Sequence, residues 1–166
     1  YRDFSGCNSL ALYKSITPEI HDRFDIEFIS GNKMTNVFVR KVYESDIVVT
    51  TDMEYSFYKF NIDPNKIVID LWHGFPLKTM FFEDHSYYDK STVTPYWSQF
   101  DFLTSYSSLY NELVYKCFRV DPKKFIITGA PRNDFLFSED SRNRLLKLLK
   151  KEDRGQKFIF YMPTFR

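Results

Sequence analysis

Cysteine is scarce in this 166-residue sequence: it contains only Cys7 and Cys117, and neither belongs to a CxxC pair or to a cluster of metal-binding residues. This scarcity argues against a disulfide scaffold and a zinc site, and it fits a reducing compartment. Glycine-rich phosphate loops of the GxGxxG or P-loop type are also missing. We expect no metal and no cofactor.

Long apolar runs are absent as well. No stretch approaches the roughly 20 residues that a helix needs to span a bilayer, and no signal peptide is visible. Neither sign of charge dominates, because 23 basic residues face 22 acidic ones. A nearly neutral chain gives no indication of nucleic-acid binding.

Aromatic residues, by contrast, are abundant: 18 Phe, 12 Tyr and 2 Trp make up 19% of the chain. So many large rings indicate a substantial core, or a surface that meets lipid or a polymer. Many lie in residues 80–100, which we expect to form a loop or short helices. The large apolar side chains of this segment are Met80, Phe81, Phe82, Tyr87, Tyr88, Tyr96, Trp97 and Phe100. Contact with lipid headgroups and packing over the sheet or over a second domain explain them equally well.

Short apolar segments alternate with helical segments along the chain. Strands are predicted over residues 24–30, 46–51, 66–72, 100–105 and 125–129. Helices are predicted over residues 8–20, with Asn8 or Ser9 as the cap, over 36–45, and over 107–118, with Leu109, Leu113 and Val114 in register. Short apolar strands separated by helices are typical of a parallel sheet. The predicted fold is therefore an α/β domain with a Rossmann-like parallel sheet and flanking helices.

Residues 138–155 predict one more helix, with Ser138 as its cap. Its leucines, at positions 145, 146, 148 and 149, share one face opposite basic residues, and we expect them to pack on protein. A further strand is predicted over residues 157–163. We therefore assign residues 1–137 to an N-terminal Rossmann-like domain, 138–155 to a linker helix, and 156–166 to the first strand of a second domain.

Three predicted strands end in loops that combine a glycine or proline with a polar or cationic side chain. These loops are WHGFPLK (72–78), GAPRND (129–134) and PTFR (163–166). In open parallel sheets, ligands bind beyond the carboxyl ends of the strands. Gly74 is expected to let the backbone approach a ligand closely, and Pro76 suits the first turn of a helix.

The cationic candidates for an anionic ligand are Lys78, Arg132 and Arg166, since the planar fork of arginine suits phosphate. Each loop taken alone also fits an ordinary turn, in which Arg132 pairs with Asp134. A single histidine such as His73 is likewise more often structural than catalytic.

The motifs WHGFPLK, GAPRND and YMPTFR, in this order, resemble those of the CDP-glycerol glycerophosphotransferase family. These are teichoic-acid primases and polymerases, with relatives that build phosphate-linked bacterial capsules. Residues 100–118 also resemble the family's segment between the first two motifs, and the resemblance covers most of the chain after about residue 40. It implies a GT-B-like enzyme with two Rossmann-like domains across a cleft, of which this chain is the N-terminal, acceptor-side half.

The resemblance also implies a reaction, in which glycerol phosphate moves from the donor CDP-glycerol to a hydroxyl of a lipid-linked teichoic-acid or capsule polymer, releasing CMP. His73 matches the motif histidine and is the expected general base, because imidazole, with a pKa of about 6.5, accepts an alcohol proton at neutral pH. The expected substrate-binding residues are Trp72, Gly74, Phe75, Pro76, Lys78, Arg132, Asp134, Pro163, Thr164 and Arg166. Among them, Arg132, Thr164 and Arg166 match positions for the donor's phosphates or glycerol.

Two features qualify what the resemblance implies. The family often has a small residue after Trp-His-Gly, whereas this chain has Phe75, which is expected to alter the fit of acceptor or donor. The chain starts at Tyr1 and stops at Arg166, so we expect half an enzyme that is inactive alone. The whole enzyme is expected to act as a peripheral protein at the cytoplasmic face of the bacterial plasma membrane.

Two other functions stay open on the sequence alone. One is a GT-B glycosyltransferase that uses a sugar nucleotide, and the other is a non-catalytic module that binds the acceptor. A second histidine and a Ser/Thr-rich phosphate loop downstream would favour the glycerophosphotransferase, and their absence would favour the binding module.

Overall fold

The computed structural model describes residues 7–29, 35–51, 65–86, 99–137 and 140–161. Within them, the α-helices are α1 (Asn8–Lys14), α2 (Pro18–His21), α3 (Asn36–Glu44), α4 (Ser108–Phe118) and α5 (Ser141–Leu149). The strands are β1 (Ile47–Thr50), β2 (Ile67–Asp70), β3 (Phe102–Ser105) and β4 (Phe125–Ile127). Short 3₁₀ helices span Phe81–Glu83, Pro122–Lys124 and Pro131–Phe137.

The four strands form one parallel sheet in the order β1-β2-β3-β4. The register places Thr50 beside Asp70, Asp70 beside Leu103, and Ser105 beside Ile127. Because all strands run in the same direction, their carboxyl ends lie at one edge of the sheet, and the loops that follow them lie together there. The predicted α/β class with a Rossmann-like parallel sheet is confirmed.

The hydrophobic core joins β2 and β3 to α4. Its most buried members, each at most 1% exposed, include Val68, Leu103, Tyr110, Val114 and Phe118. The buried positions of α4 recur at the spacing of one helix face, starting from Tyr110. The Trp72 and Phe118 rings meet edge to face, with 5.5 Å between their centroids. This contact extends the core to the carboxyl end of β2.

The helix predicted over residues 8–20 is two helices, because Pro18 disfavours a helical backbone at the preceding residue. Thr17 is extended, with φ −86° and ψ 160°, and Pro18 opens α2. The cap of α1 is Cys7, whose Sγ accepts a hydrogen bond from the Leu10 N–H at 3.3 Å. Asn8 is therefore the first residue of α1 and not its cap.

The strand predicted over residues 24–30 is wrong: residues 24–29 have no regular secondary structure, and residue 30 lies outside the described ranges. Side chains of this segment contact helices instead. The Phe28 ring stacks on Tyr13, with 4.9 Å between centroids, and Glu27 pairs with Lys41 of α3 at 2.6 Å. This pair raises the pKa of Lys41. The alternating pattern reflects side-chain packing and not strand pairing.

The helix predicted over residues 138–155 is shorter in the structure, where α5 spans Ser141–Leu149. The leucines of α5 do not share one buried face. Leu146 is buried, whereas Leu148 is 79% exposed. Ser138, the predicted cap, lies outside the described residues, as do the last two positions of the strand predicted over residues 157–163. Residues 157–161 form no strand, and Ile159 is 95% exposed. Within the described residues, the sheet contains only β1 to β4, so no neighbouring strand supplies backbone hydrogen bonds to residues 157–161. The assigned domain boundaries stay predictions.

The described part of the aromatic segment 80–100 belongs to the core. Met80, Phe81 and Phe82 pack against the core cluster, and Phe100 is one of its buried members. Residues 87–98 lie outside the described ranges, so their predicted contacts stay open. No helix in the part of the chain that the structure describes is long and apolar enough to cross a membrane.

Two positions on α4 test this packing. The sequence pattern grouped Leu109 with the core-facing residues, yet Leu109 is 59% exposed and Phe118 is fully buried. We expect Phe118→Ala to lower the free energy of unfolding by about 3–5 kcal/mol, because it leaves a cavity. The control Leu109→Ala should cost no more than about 0.5 kcal/mol. Urea unfolding followed by circular dichroism measures both, and equal losses would contradict the described orientation of α4.

Candidate active site

The loop after β2 contains a left-handed residue at its second position. Trp72 has φ 50°, which is uncommon for a residue with a side chain. Its N–H donates to Asp70 Oδ1 at 2.7 Å, and Asp70 Oδ2 accepts from the Thr50 hydroxyl at 2.6 Å. Asp70 is fully buried, so it fixes this turn from within the protein. The buried carboxylate thus links the tips of β1 and β2.

His73 lies on the outside of the same turn. The Trp72 side chain is only 7% exposed, whereas His73 is exposed at the carboxyl edge of the sheet. The two rings are in contact, with 4.1 Å between their centroids. The backbone turn therefore anchors one aromatic residue in the core and presents the next, an imidazole, where a substrate can reach it.

The turn after β4 carries Arg132. Gly129 adopts φ 77°, a conformation that favours glycine. Its N–H and that of Thr128 both donate to the Ser105 carbonyl at the tip of β3, at 2.9 and 3.1 Å. Arg132 is partly buried near the start of the 3₁₀ helix Pro131–Phe137. Within the described residues it forms no ion pair with Asp134, which is exposed, so the surface-pair alternative finds no support.

Asn8 connects these two loops. Its Nδ2 donates to the carbonyls of Leu71 and Trp72, at 3.0 and 2.7 Å, and its Oδ1 accepts from the Arg132 N–H at 3.2 Å. Asn8 is fully buried. We call this set of three hydrogen bonds the Asn8 bridge. The Leu71 carbonyl also accepts from the Thr104 hydroxyl at 3.2 Å, so β3 supports the same loop.

Two buried hydroxyls, those of Ser105 at the end of β3 and Tyr110 on α4, have no hydrogen-bond partner within the described residues. Burial raises the pKa of Tyr110 far above its usual value, and nearby Tyr106 and Asp70 add to this effect. Tyr110 therefore stays neutral. The Phe75 ring lies against Tyr110, with 5.7 Å between centroids. Phe75 thus packs on the tip of α4.

The other predicted residues differ in their surroundings. A Cβ on Gly74 would meet no atom within 4 Å, so the fold itself does not require glycine there. Pro76 is in an irregular loop and not in a first helical turn, which corrects the prediction, and Lys78 is exposed. Pro163, Thr164 and Arg166 lie outside the described residues. The described part of the chain has no cluster of His, Cys, Asp or Glu side chains that could hold a metal ion.

Sequence reasoning missed Asn8 and Asp70 as site-forming residues. Asp70 had a signal, because it is the one charged residue inside the apolar strand IVID. The sequence signal at Asn8 was misleading, because asparagine is a common helix cap and the residue was interpreted as one. Its real partners are 63, 64 and 124 positions away, which no local pattern reveals.

Comparison with known proteins gives one family. Residues 11–166 match the sequence profile of the CDP-Glycerol:Poly(glycerophosphate) glycerophosphotransferase family. The chain is 30% identical over 112 residues to a teichoic acid poly(glycerol phosphate) polymerase of Bacillus spizizenii, covering 61% of this chain and 28% of that protein. To the polymerase of the same name from Bacillus subtilis it is 30% identical over 109 residues, covering 59% of this chain and 14% of that one. The chain therefore spans less than a third of either relative.

Solved structures give a consistent likeness. A variant of the wall teichoic acid polymerase TagF matches with a TM-score of 0.56 and 21% identity, covering 70% of this chain and 30% of that chain. A second TagF variant, soaked with CDPG, matches with a TM-score of 0.56 and 20% identity, covering 70% and 31%. At this identity the likeness concerns the fold alone, and it agrees with the Rossmann-like parallel sheet described above.

The turn at Trp72 provides a prediction about Asp70. In Asp70→Ala, the buried Trp72 N–H and Thr50 hydroxyl lose their acceptor, and the free energy of unfolding should fall by about 2–4 kcal/mol. Asp70→Asn keeps an acceptor for Trp72, so it should cost less than about 1 kcal/mol. Urea unfolding measures both, and amide exchange at Trp72 should speed up only in Asp70→Ala. Equal destabilisation by both variants would show that charge, and not hydrogen bonding, maintains the turn.

Proposed function

This chain belongs to the CDP-Glycerol:Poly(glycerophosphate) glycerophosphotransferase family, and on that premise we propose what the full-length protein does. It transfers glycerol phosphate from CDP-glycerol to a hydroxyl group at the end of a poly(glycerol phosphate)-type polymer, and it releases CMP. The observation that supports this activity is the exposed His73, at the same sheet edge as Arg132 and joined to it through the Asn8 bridge.

In the proposed reaction, His73 is the general base. The acceptor hydroxyl oxygen attacks the phosphorus that carries glycerol, and a new P–O bond forms. The bond from that phosphorus to the bridging oxygen breaks, and CMP leaves with the electron pair. The imidazole takes the proton of the attacking hydroxyl, a role that histidine side chains commonly fill in enzymes. Such transfers depend mainly on positioning and on neutralising charge.

Arg132 is the proposed contact for the donor's phosphates. The residue is partly buried, and its guanidinium has no carboxylate partner within the described residues, so its charge is available to an anion. A planar guanidinium can donate two parallel hydrogen bonds to one phosphate. Thr164 and Arg166 remain proposed donor contacts from their match to the third family motif, and Lys78 remains the weakest candidate because it is exposed in a loop.

For the acceptor, we propose a lipid-linked teichoic-acid or capsule polymer, extended at the cytoplasmic face of the plasma membrane by a peripherally bound enzyme. The names of the polymerase relatives support the polymer class. Membrane contact through residues 80–82 is disfavoured, since these side chains pack on the core.

The direct test incubates the full-length protein with CDP-glycerol labelled in its glycerol and with a teichoic-acid primer. Label should enter the polymer in the same molar amount as CMP appears. Turnover with a sugar nucleotide instead would favour the glycosyltransferase alternative. Acceptor binding without any turnover would favour the binding module.

Removing the proposed base should abolish most activity without unfolding the protein. We expect His73→Ala to lower the transfer rate about 10²-fold or more. Because His73 is exposed, the variant should unfold at the same urea concentration as the wild type. His85→Ala is the matched control, since His85 is also exposed and has no proposed role. Near-normal turnover of His73→Ala, measured as CMP release, would rule out this histidine as the base.

The proposed phosphate contact predicts sensitivity to shape at constant charge. Arg132→Lys keeps the positive charge but loses the planar fork, so CDP-glycerol should bind at least about tenfold more weakly. Arg144→Lys is the control, because Arg144 pairs with Asp140 on exposed α5. Isothermal titration calorimetry on the full-length protein measures the affinity, and an unchanged value for Arg132→Lys would remove Arg132 from the donor site.

A further inference from the structure

We propose that Asn8 is a positioning residue, which fixes the loop of His73 relative to the turn of Arg132. The inference rests on the proposed function, in which these two side chains act as base and phosphate contact. Asn8 lies outside residues 11–166, the range that matches the family profile, so that match assigns it no role.

The chemistry of the Asn8 bridge requires an amide. Two backbone carbonyls, of Leu71 and Trp72, need donors, and the Arg132 N–H needs an acceptor. An asparagine side chain supplies two N–H donors and one carbonyl acceptor. Aspartate of the same shape offers no donor when ionised, and leucine of similar size offers neither. Because the side chain is fully buried, water does not replace what a substitution removes.

The bonded atoms lie beside the proposed chemistry. The Trp72 carbonyl belongs to the peptide unit that leads into His73, so the 2.7 Å hydrogen bond fixes the plane from which the imidazole projects. The Arg132 N–H belongs to the residue that carries the guanidinium. One rigid amide therefore sets the separation of the two loops. Errors of about 1 Å in such positions can cost 10²-fold in rate.

Helix α1, which carries the Asn8 amide, is itself attached to the sheet. Next to Asn8, the Ser9 N–H donates to Thr51 Oγ1 at 3.1 Å, and the Ser9 and Thr51 hydroxyls share a second hydrogen bond. The first turn of α1 is thus attached to the tip of β1, while Asn8 reaches the loops after β2 and β4. Ser9→Ala offers a matched control, because it keeps the backbone hydrogen bond from the Ser9 N–H to Thr51 and removes only a hydroxyl that has no hydrogen bond to either loop within the described residues.

The kinetic test uses the full-length protein at saturating CDP-glycerol. We expect Asn8→Leu to lower the transfer rate by about 10- to 10²-fold. In a His73→Ala background, where the positioned base is gone, the same substitution should have little further effect. Ser9→Ala should leave the rate unchanged. Equal losses in both backgrounds, or a normal rate in folded Asn8→Leu, would overturn the proposal.

A second measurement does not depend on activity, and its deciding result comes from the wild-type protein. In the wild-type protein, the Arg132 amide should be protected from hydrogen exchange, because it donates to the buried Asn8 side chain. In Asn8→Asp, which keeps the acceptor, that protection should persist while the His73 loop exchanges faster. Rapid exchange of Arg132 in the wild type would overturn the proposal even if Asn8→Leu did not fold. Absence of transfer by a wild type with a protected Arg132 would count against the proposed function and not against the bridge.

Discussion

The buried amide of Asn8 is the contact on which the arrangement of the site depends. A parallel sheet brings loops to one edge, but it does not fix how the loops sit relative to each other, because backbone ladders end with the strands. Beyond β2, the carbonyls of Leu71 and Trp72 turn inward, where each needs a donor. Asn8 meets this need and contacts the β4 turn at the same time.

The turn at Trp72 places a buried core residue and the exposed His73 next to each other in the chain. A left-handed tryptophan persists only where its surroundings determine it. Here the Asp70 carboxylate accepts its N–H, and the Phe118 ring packs on its indole. These contacts force the following residue outward, so the exposure of His73 follows from the burial of Trp72. Stability of the core and availability of the imidazole are therefore properties of a single turn.

The sequence predicted the parts that depend on local pattern. The strands β1 to β4, the helices α3 and α4, and the strand-tip location of His73 and Arg132 agree with the structure, because short apolar runs and helical periodicity determine them. The errors arose where tertiary contacts decide. Residues 24–29 alternate like a strand but pack on helices, and Leu109 faces solvent despite its spacing. The hydrogen bonds of Asn8 join it to residues up to 124 positions away, and contacts over such distances produce no local periodicity in the sequence.

The 124 positions between Asn8 and Arg132 affect the order in which the parts of the protein fold during synthesis. Asn8 leaves the ribosome 124 residues before Arg132, which follows only after the four strands of the described sheet have been synthesised. Loop closure over this distance is entropically costly before the intervening sheet exists. A nascent chain can thus bury its strands and α4 early and still have an unassembled edge. The Asn8 bridge would then form later in biosynthesis than the sheet beneath it.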